Sequence, residues 1–401
     1  MIKGKKALRT SEKTRVMKHP AAAAPAGIQT AKSRRKGFDI TFLVLVLILV
    51  VVGLVMLFSA SYATSYDRYG GNSFYYISNQ AKNAVLGIVA MLLIMQIDYH
   101  FYHKVAWLAY GGSLVLLVLV LVLPSSNPNA ARWIDLGFVS FQPSEVMKFA
   151  LVLLFAHHIY LHYKEMKRLK EVLLFFGAVL APVVLLMLKQ PHLSGTVLIM
   201  AISAVMMFVG GTDIRWFIGA VGVAAVIVAA VIFVPGLSSY AGSRFEIWLD
   251  PFSDPTDKGF QTIQSLYAIS SGGLMGVGFG ASRQKYLWLP ESQNDFIFSI
   301  ICEELGFVGA VLVVLLFALL VWRGFVIAAR AKDRFGTMLA VGLTAQVGIQ
   351  TFLNIAVVTN TVPNTGISLP FFSFGGTSLI MLLASMGVIL SVSRSANLEK
   401  E

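Results

Sequence analysis

The sequence has little charge and almost no cysteine. Only 13% of its 401 residues are Asp, Glu, Lys or Arg, whereas soluble globular proteins have about 25%. The single cysteine, Cys302, lies in an apolar run, so the chain cannot form an intrachain disulfide framework. These two shortages exclude an ordinary soluble domain and a small secreted scaffold that depends on disulfides.

Long apolar runs take the place of the missing charge. Hydrophobic residues make up 57% of the chain and the mean hydropathy is +0.74. About 20 consecutive apolar residues are enough to cross about 30 Å of hydrocarbon. The sequence therefore predicts an all-α polytopic membrane protein with about ten transmembrane helices. The predicted spans are Phe38–Ala60, Ala81–Ile97, Val105–Leu123, Ser144–Tyr160, Val172–Leu188, Gly195–Val209, Ile214–Val234, Phe296–Trp322, Thr337–Val358 and Leu369–Val392.

The basic residues predict how the chain is oriented. Eleven Lys and Arg residues and one Glu precede Phe38, so the positive-inside rule places residues 1–37 in the cytoplasm as a disordered basic tail. Nucleic acid is one partner that such charge suggests, but a flexible arm near anionic lipid explains it without nucleic acid. The loops His162–Lys170 and Arg323–Arg334 and the short tail 394–401 then share the cytoplasmic side.

The same orientation predicts one large loop outside the cytoplasm. It runs from Pro235 to Asp295, between the seventh and eighth helices of a membrane domain that covers residues 38–393. Connections of this length inside a domain are usually functional. Five glycines in the loop would permit close backbone approach or re-entrant turns: Gly272, Gly273, Gly276, Gly278 and Gly280.

Four carboxylates lie around the start of the eighth predicted span, in the stretch LPESQNDFIFSIICEELGF: Glu291, Asp295, Glu303 and Glu304. A charge at the bilayer centre costs about 3 kcal/mol on insertion scales, so each one needs an explanation. Asp295 falls at the outer mouth of the helix, where it is accessible, and we predict that it is functional. Glu303 and Glu304 lie about 12–14 Å deeper and on different sides of the helix. We expect each of them to be structural, paired with a basic or hydroxyl group in the bundle.

A second charged cluster lies on the same outer side, in ARWIDLGFVSFQPSEVMKFA. Glu145 and Lys148 are three residues apart, on one face of the fourth predicted helix. They form either a local ion pair that stabilises the helix start, or part of the charged wall of an outward cavity in which Lys148 would attract phosphate. Arg132 belongs to the same cluster.

Three segments carry a resemblance to a known family. QPSEVMKFA, SRQKYLWLPESQNDFIFSIICEELG and PNTGISLPFFSFGGTSL resemble the signature segments of the SEDS (shape, elongation, division and sporulation) proteins. The resemblance extends over all the predicted helices and leaves out only the basic tail. SRQKYLWLPE and NDFIF are more similar to the FtsW/SpoVE branch than to the RodA branch.

This resemblance implies a peptidoglycan glycosyltransferase that polymerises lipid II into glycan strands at the outer face of the bacterial cytoplasmic membrane, with a role at the division septum or in sporulation. Asp295 matches the family's catalytic aspartate, and a carboxylate there can take the proton of the acceptor 4-hydroxyl. The diphosphate leaving group needs positive charge, from basic side chains or from a divalent cation such as Mg²⁺ or Mn²⁺. The substrate-binding candidates are Arg132, Glu145, Lys148, Arg244, Arg283 and Lys285. The implied partners are the nascent glycan strand, a class B penicillin-binding protein and other divisome proteins.

One departure from the family and two alternative functions belong with this interpretation. His192 stands where an aspartate is common in the family, which argues against an obligatory carboxylate or metal ligand there. The motifs Asp98–His103 and Ala156–His162 have spacings that could hold a metal, but we interpret them as interface anchors and predict no metal site. A lipid II flippase would distribute charge through the bilayer, as Glu303 and Glu304 could do. A scaffold that recruits a transpeptidase would need no chemistry.

Overall fold

A computed structural model describes residues 37–123, 132–135, 140–190, 192–219, 222, 246–257 and 259–396. This part of the chain is almost entirely helical. One two-stranded antiparallel ladder, β1 (Ile134–Asp135) with β2 (Ser140–Phe141), interrupts the helices. The helices of ten or more residues are α1 Ile40–Arg68, α2 Tyr75–Ile94, α3 His100–Val122, α4 Pro143–His162, α5 Gly177–Lys189, α6 Leu193–Val209, α7 Phe260–Ser271, α8 Ile297–Ala329, α9 Arg334–Val358 and α10 Gly376–Ser395.

The predicted polytopic membrane architecture is confirmed. Among the described residues, eight helical segments are long and apolar enough to span a membrane. They are α1 to α4, α8 to α10, and a segment from Leu169 to Lys189 that includes α5 and a π-helical turn at Val172–Phe176. A ninth apolar helix, α6, is shorter. Most of the predicted seventh span, Ile214–Val234, lies outside the described residues, as do most of both predicted tails.

The helices divide into a buried centre and an apolar periphery. Helices α4, α9 and α10 bury most of their residues inside the protein, whereas α1, α2, α3 and α8 leave most of theirs on the surface. The surface of the second group carries large apolar side chains such as Val51, Leu93, Leu108 and Leu312. Such a surface fits lipid, which does not penalise exposed hydrocarbon as water does.

The N-terminal end of α1 and the C-terminal end of α10 lie on the same side of the bundle. Asp39 caps α1, and its backbone N–H donates to Ser393 Oγ near the end of α10 at 3.1 Å. The Asp39 carboxylate also pairs with Arg323 of α8 at 2.9 Å. We call this side the Asp333 end, because Asp333 caps α9 here. It is the side that the basic residues predict to be cytoplasmic.

Several helix ends differ from the predicted spans, and two of them change how a predicted segment is described. Helix α8 continues past Trp322 to Ala329, so most of the predicted loop Arg323–Arg334 is helical. The last helix begins at Gly376 instead of Leu369. Proline at position 370 disfavours a helical residue before it, and Phe371 adopts a left-handed φ of 67°. The apolar stretch before Gly376 is therefore a folded loop.

Candidate active site

Asp295 lies at the end of the bundle opposite Asp333, two residues before α8 begins. Its side chain is partly buried. A Cβ placed on Gly366, which has a φ of +69°, would lie only 3.0 Å from Asp295 Oδ2. In the described part of the chain no group donates a hydrogen bond to the carboxylate. The carboxylate is therefore held close to the backbone of the loop that follows α9, with its oxygens available to a ligand.

The electrostatic surroundings of Asp295 favour a proton acceptor. The pKa of Asp295 is raised to about 6, chiefly by burial and also by the negative charge of Glu291, while the positive charge of Arg132 acts in the opposite direction. An ordinary aspartate has a pKa near 3.9 and is a weaker base. A carboxylate with a pKa near 6 is still ionised at neutral pH and has a better driving force for taking a proton.

Two amides on one face of α9 connect Asp295 to the second charged cluster. Asn354 Nδ2 donates to Asp295 O at 2.7 Å and to Ile367 O at 2.6 Å. One turn earlier, Gln350 Nε2 donates to Ser368 O at 3.0 Å. The oxygen of the same Gln350 amide lies 3.5 Å from Lys148 Nζ. Helix α9 therefore sets the separation of Asp295 from Lys148 along the bundle.

Lys148 and Glu145 form the buried ion pair that their spacing suggests. Their side chains lie on the first two turns of α4, with 2.8 Å between Lys148 Nζ and Glu145 Oε1. Lys148 is 4% exposed and Glu145 is 9% exposed. A pair at this depth retains strong local fields because water screens it poorly. Both interpretations of the cluster stay open, because Glu145 and Gln350 use two of the three ammonium hydrogens of Lys148 in the described structure.

His192 and Arg132 lie close enough to this cluster to interact with it electrostatically. The pKa of His192 is lowered to about 3, chiefly by burial and also by the positive charges of Arg132 and Lys148. His192 is therefore a neutral imidazole at the site, and it precedes α6. Arg132 is partly exposed beside the short β ladder and acts on the charge of Asp295.

Several buried polar atoms at this end have no hydrogen-bond partner in the described structure. Such groups are rare in folded proteins, and each one calls for an explanation such as a bound ligand or water. A polar substrate would satisfy them. They are Ser144 Oγ, His192 Nδ1, Asn294 Oδ1, Asn354 Oδ1 and Thr365 Oγ1.

The two deeper carboxylates are fully paired, as the sequence predicts. Glu304, 1% exposed, accepts from Ser59 Oγ at 2.7 Å and pairs with Lys285 Nζ at 2.9 Å. Glu303, 2% exposed, accepts from Ser282 Oγ at 2.5 Å and from Arg283 N at 2.9 Å. Each carboxylate thereby attaches the loop before Asp295 to α8.

This arrangement corrects the role expected of Lys285. Lys285 Nζ also donates to Gly280 O at 2.6 Å and lies 3.1 Å from Ser59 Oγ, and the residue is 3% exposed. A lysine with its three donors used inside the protein has none left for a substrate phosphate. Lys285 is therefore a structural partner of Glu304, not a phosphate ligand. Arg283 beside it is exposed, and Arg244 lies outside the described residues.

The glycine-rich part of the loop packs backbone to backbone against α8. Val277 N donates to Glu303 O at 2.9 Å, and Phe307 N donates to Gly273 O at 2.9 Å, next to a break in α8 at Gly306. A Cβ on Gly276, at φ +81°, would lie 2.1 Å from Glu304 O. The predicted close approach is confirmed at this position. The loop and α8 together fix the direction in which the chain reaches Asp295.

Sequence reasoning missed the amides that hold the site together. Gln350 and Asn354 are polar residues four apart in an otherwise apolar span, which is the signal that could have found them. Gln80 was missed for the same reason. Its amide binds Ser373 O and Gly375 N, at 3.1 and 3.2 Å, and so attaches the loop before α10 to α2.

Comparison with known proteins agrees with the motifs. The sequence model of the FtsW/RodA/SpoVE cell cycle proteins matches residues 39–398. The "Probable peptidoglycan glycosyltransferase FtsW" of Geobacter sp. (strain M18) is 36% identical over 90% of this chain and 98% of its own length. The stage V sporulation protein E of Bacillus subtilis (strain 168) is 39% identical over 89% of this chain and 97% of its own.

Two solved structures share the fold. A chain from a peptidoglycan synthase complex, described as coordinating polymerization and crosslinking, has 32% identity and a TM-score of 0.74 over 90% of this chain and 99% of its own. The rod shape determining protein RodA of Thermus thermophilus has 27% identity and a TM-score of 0.65 over 90% of this chain and 98% of its own. Sequence and fold agree over nearly the whole membrane domain, and the chain belongs to the FtsW/RodA/SpoVE family.

Proposed function

We propose that this chain polymerises lipid II into glycan strands at the outer face of the bacterial cytoplasmic membrane. Its family and the names of its relatives identify the class of enzyme, a peptidoglycan glycosyltransferase. The observation that carries the assignment of the site is Asp295, a carboxylate with a raised pKa that receives no hydrogen bond from the described residues and feels the charge of Arg132, at the end of the bundle opposite Asp333.

Asp295 acts as the general base. It accepts the proton of the acceptor GlcNAc 4-hydroxyl as that oxygen attacks the anomeric carbon of the donor. The new bond joins O4 to the anomeric carbon, the bond from that carbon to the diphosphate oxygen breaks, and undecaprenyl diphosphate leaves with the electron pair. A single base and a good leaving group suit an inverting displacement, in which no second carboxylate is needed as nucleophile.

Lys148 and Arg132 stabilise the charge that develops on the leaving diphosphate. Lys148 is buried beside Glu145, so its field is little screened, and Arg132 already influences Asp295. Arg283 is exposed on the adjacent loop and can contact the same group, and Arg244 stays a candidate from the sequence alone. The unpartnered hydroxyl and amide atoms around the site would bind the sugars.

A divalent cation, Mg²⁺ or Mn²⁺, fits this site only as a companion of the diphosphate. Magnesium is commonly held by one or two carboxylates together with substrate phosphates and water. In the described residues Asp295 offers free carboxylate oxygens, while Glu145 is occupied by Lys148. Asp295 would be the protein ligand, and the cation would supply charge neutralisation of the phosphates. The base itself needs no metal.

The enzyme works with a class B penicillin-binding protein, and with other divisome proteins at the septum if its role is in division. A fold shared with a chain of a peptidoglycan synthase complex supports the first partner. Relatives named FtsW and stage V sporulation protein E leave both division and sporulation open.

The test is polymerisation of labelled lipid II by purified wild type and Asp295→Asn, each with and without a class B penicillin-binding protein that lacks polymerase activity. Glycan chains from wild type and none from a folded Asp295→Asn would support the proposal. If wild type makes no polymer but moves lipid II across proteoliposome membranes, the chain is a flippase. If it does neither and still binds the transpeptidase, it is a scaffold.

A further inference from the structure

Three side chains at the Asp333 end of the bundle converge on one point that the glycosyltransferase site does not use. His158 and His162 lie one turn apart on the last part of α4, and Glu171 follows in the connection to the next span. One donor atom from each residue lies within 4.8 Å of the other two. The sequence motif showed the two histidines, but only the fold adds the carboxylate.

The hydrogen bonding of these groups is incomplete. His158 is 6% exposed, and its Nε2 lies 2.9 Å from Glu171 Oε1 yet makes no hydrogen bond. His162 Nδ1 is also buried without a partner. A nitrogen and a carboxylate oxygen this close, without a hydrogen between them in a bonding geometry, are placed as two ligands of a common cation would be placed.

The neighbouring rings hold the imidazoles in position. His158 stacks on Phe175 with 3.3 Å between ring centroids and 4° between planes. It also stacks on His162 at 4.4 Å and 26°. Phe175 lies in the π-helical turn that directly follows Glu171, and such turns occur frequently at functional sites. The carboxylate and the stacking ring therefore come from one short segment packed against α4.

We propose that His158, His162 and Glu171 form a site for a divalent transition-metal ion, most suitably Zn²⁺. Two histidines four residues apart on a helix present their nitrogens on one face, which is a common zinc-binding arrangement. Ligands about 2.0–2.2 Å from zinc lie roughly 3.3 Å from one another, so a small movement of His162 completes the site. Two imidazoles with one carboxylate suit zinc, whereas magnesium and calcium prefer oxygen ligands alone.

The bound ion would hold the connection that follows α4 against the C-terminal end of α4. The connection, Tyr163 to Lys170, carries Lys164, Lys167, Arg168 and Lys170 as exposed residues. These positively charged side chains repel a bound metal ion and so lower its affinity. The repulsion is limited, because the side chains lie on the surface where salt screens their charge. Binding would stabilise residues 163–176 and couple the start of the next span to α4. This site is independent of the lipid II chemistry at the opposite end.

The test measures metal binding by the full chain, purified with a tag that contains no histidine and stripped with a chelator. Zn²⁺ is titrated against a chromophoric competitor, and Co²⁺ is added separately as a spectroscopic probe of nitrogen ligands. We expect one zinc per chain. His158→Gln, His162→Gln and Glu171→Gln should each weaken binding by at least about tenfold. The control His157→Gln alters a neighbouring histidine that lies outside the group and should bind as wild type.

Glu171→Gln decides the matter if the histidine variants fail to fold, because its side chain is 26% exposed. Hydrogen exchange adds a second measurement, in which Zn²⁺ should protect residues 163–176 in wild type and not in Glu171→Gln. Binding that is equal in wild type and Glu171→Gln, or a wild type that takes up no zinc, would mean that His158 and Glu171 are only an ion pair.

Discussion

Asp295 lies within nine residues of Glu303 and Glu304, yet the surroundings of its carboxylate are the opposite of theirs. Glu303 and Glu304 are almost completely buried, and hydroxyl, amide or ammonium groups satisfy them. Asp295 is partly buried and receives no hydrogen bond on its carboxylate from the described residues. The difference shows that a charge in an apolar sequence is not by itself a sign of function. A charge whose partners are missing is a better sign.

The largest effect should come from Asp295→Asn. Loss of a general base costs about 10²–10⁴ in rate, so polymerisation by this variant should be lost or nearly lost. The melting temperature should be equal to or above that of wild type, because a raised pKa means that the ionised carboxylate destabilises the folded protein above about pH 6. Lipid II turnover and thermal unfolding in detergent measure the two effects. A strongly destabilised variant would make Asp295 structural.

The second largest effect should be a loss of folding stability in Glu304→Gln, without a direct effect on the reaction. Glu304→Gln leaves Lys285 as an unpaired buried charge, and breaking such a pair costs about 3–5 kcal/mol. Thermal unfolding should show a large fall in melting temperature. The double variant Glu304→Gln, Lys285→Met removes both charges and should recover most of it. If Glu304→Gln unfolds like wild type, the pair does not hold the loop.

A smaller effect is expected from the α9 amides. Asn354→Leu removes both hydrogen bonds that fix the backbone at Asp295 and Ile367, and a misplaced catalytic group costs up to about a hundredfold. The turnover number should fall while KM for lipid II changes little. Gln346→Leu is the control, because Gln346 is a buried amide two turns away on the same helix. Equal turnover numbers for Asn354→Leu and Gln346→Leu would show that Asn354 does not position Asp295.

The smallest effect is a shift in pH dependence. The polymerisation rate should rise through about pH 6 and then level off, because Asp295 must be ionised to accept a proton. Glu291→Gln removes a negative charge that raises the pKa of Asp295, so its midpoint should move to lower pH. Initial rates across a pH series measure both midpoints. A midpoint that moves up, or an Asp295-dependent rate that is flat through pH 6, would contradict the assignment.

The apolar runs were enough to predict the membrane architecture, because span length and hydrophobicity depend on local sequence. That Glu303 and Glu304 would have partners inside the protein could be predicted too, since buried charge requires a partner. The identity of those partners could not, because Ser59 is more than 200 positions away from Glu304 in the chain. Lys285 was misjudged because the loop before Asp295 folds back on α8, so that Glu304 and Gly280 occupy the ammonium group.

The geometry around Asp295 depended on contacts that sequence spacing does not report. Gly366 and Asn354 reach Asp295 only after the loop following α9 folds back over the start of α8. The histidines of α4 are a parallel case, because Glu171 completes their group only through the packing of the next segment. Motifs identified which residues matter, and tertiary contacts decided what each one can do.

The most direct measurement of the central claim compares two carboxylate variants side by side, Asp295→Asn and the double variant Glu304→Gln, Lys285→Met. Both are assayed for lipid II polymerisation with the same transpeptidase partner, below the melting temperature of each. We predict that Asp295→Asn is folded and inactive, while the double variant polymerises at close to the wild-type rate. An active Asp295→Asn, or a folded double variant without activity, would contradict the division between an available base and a paired support.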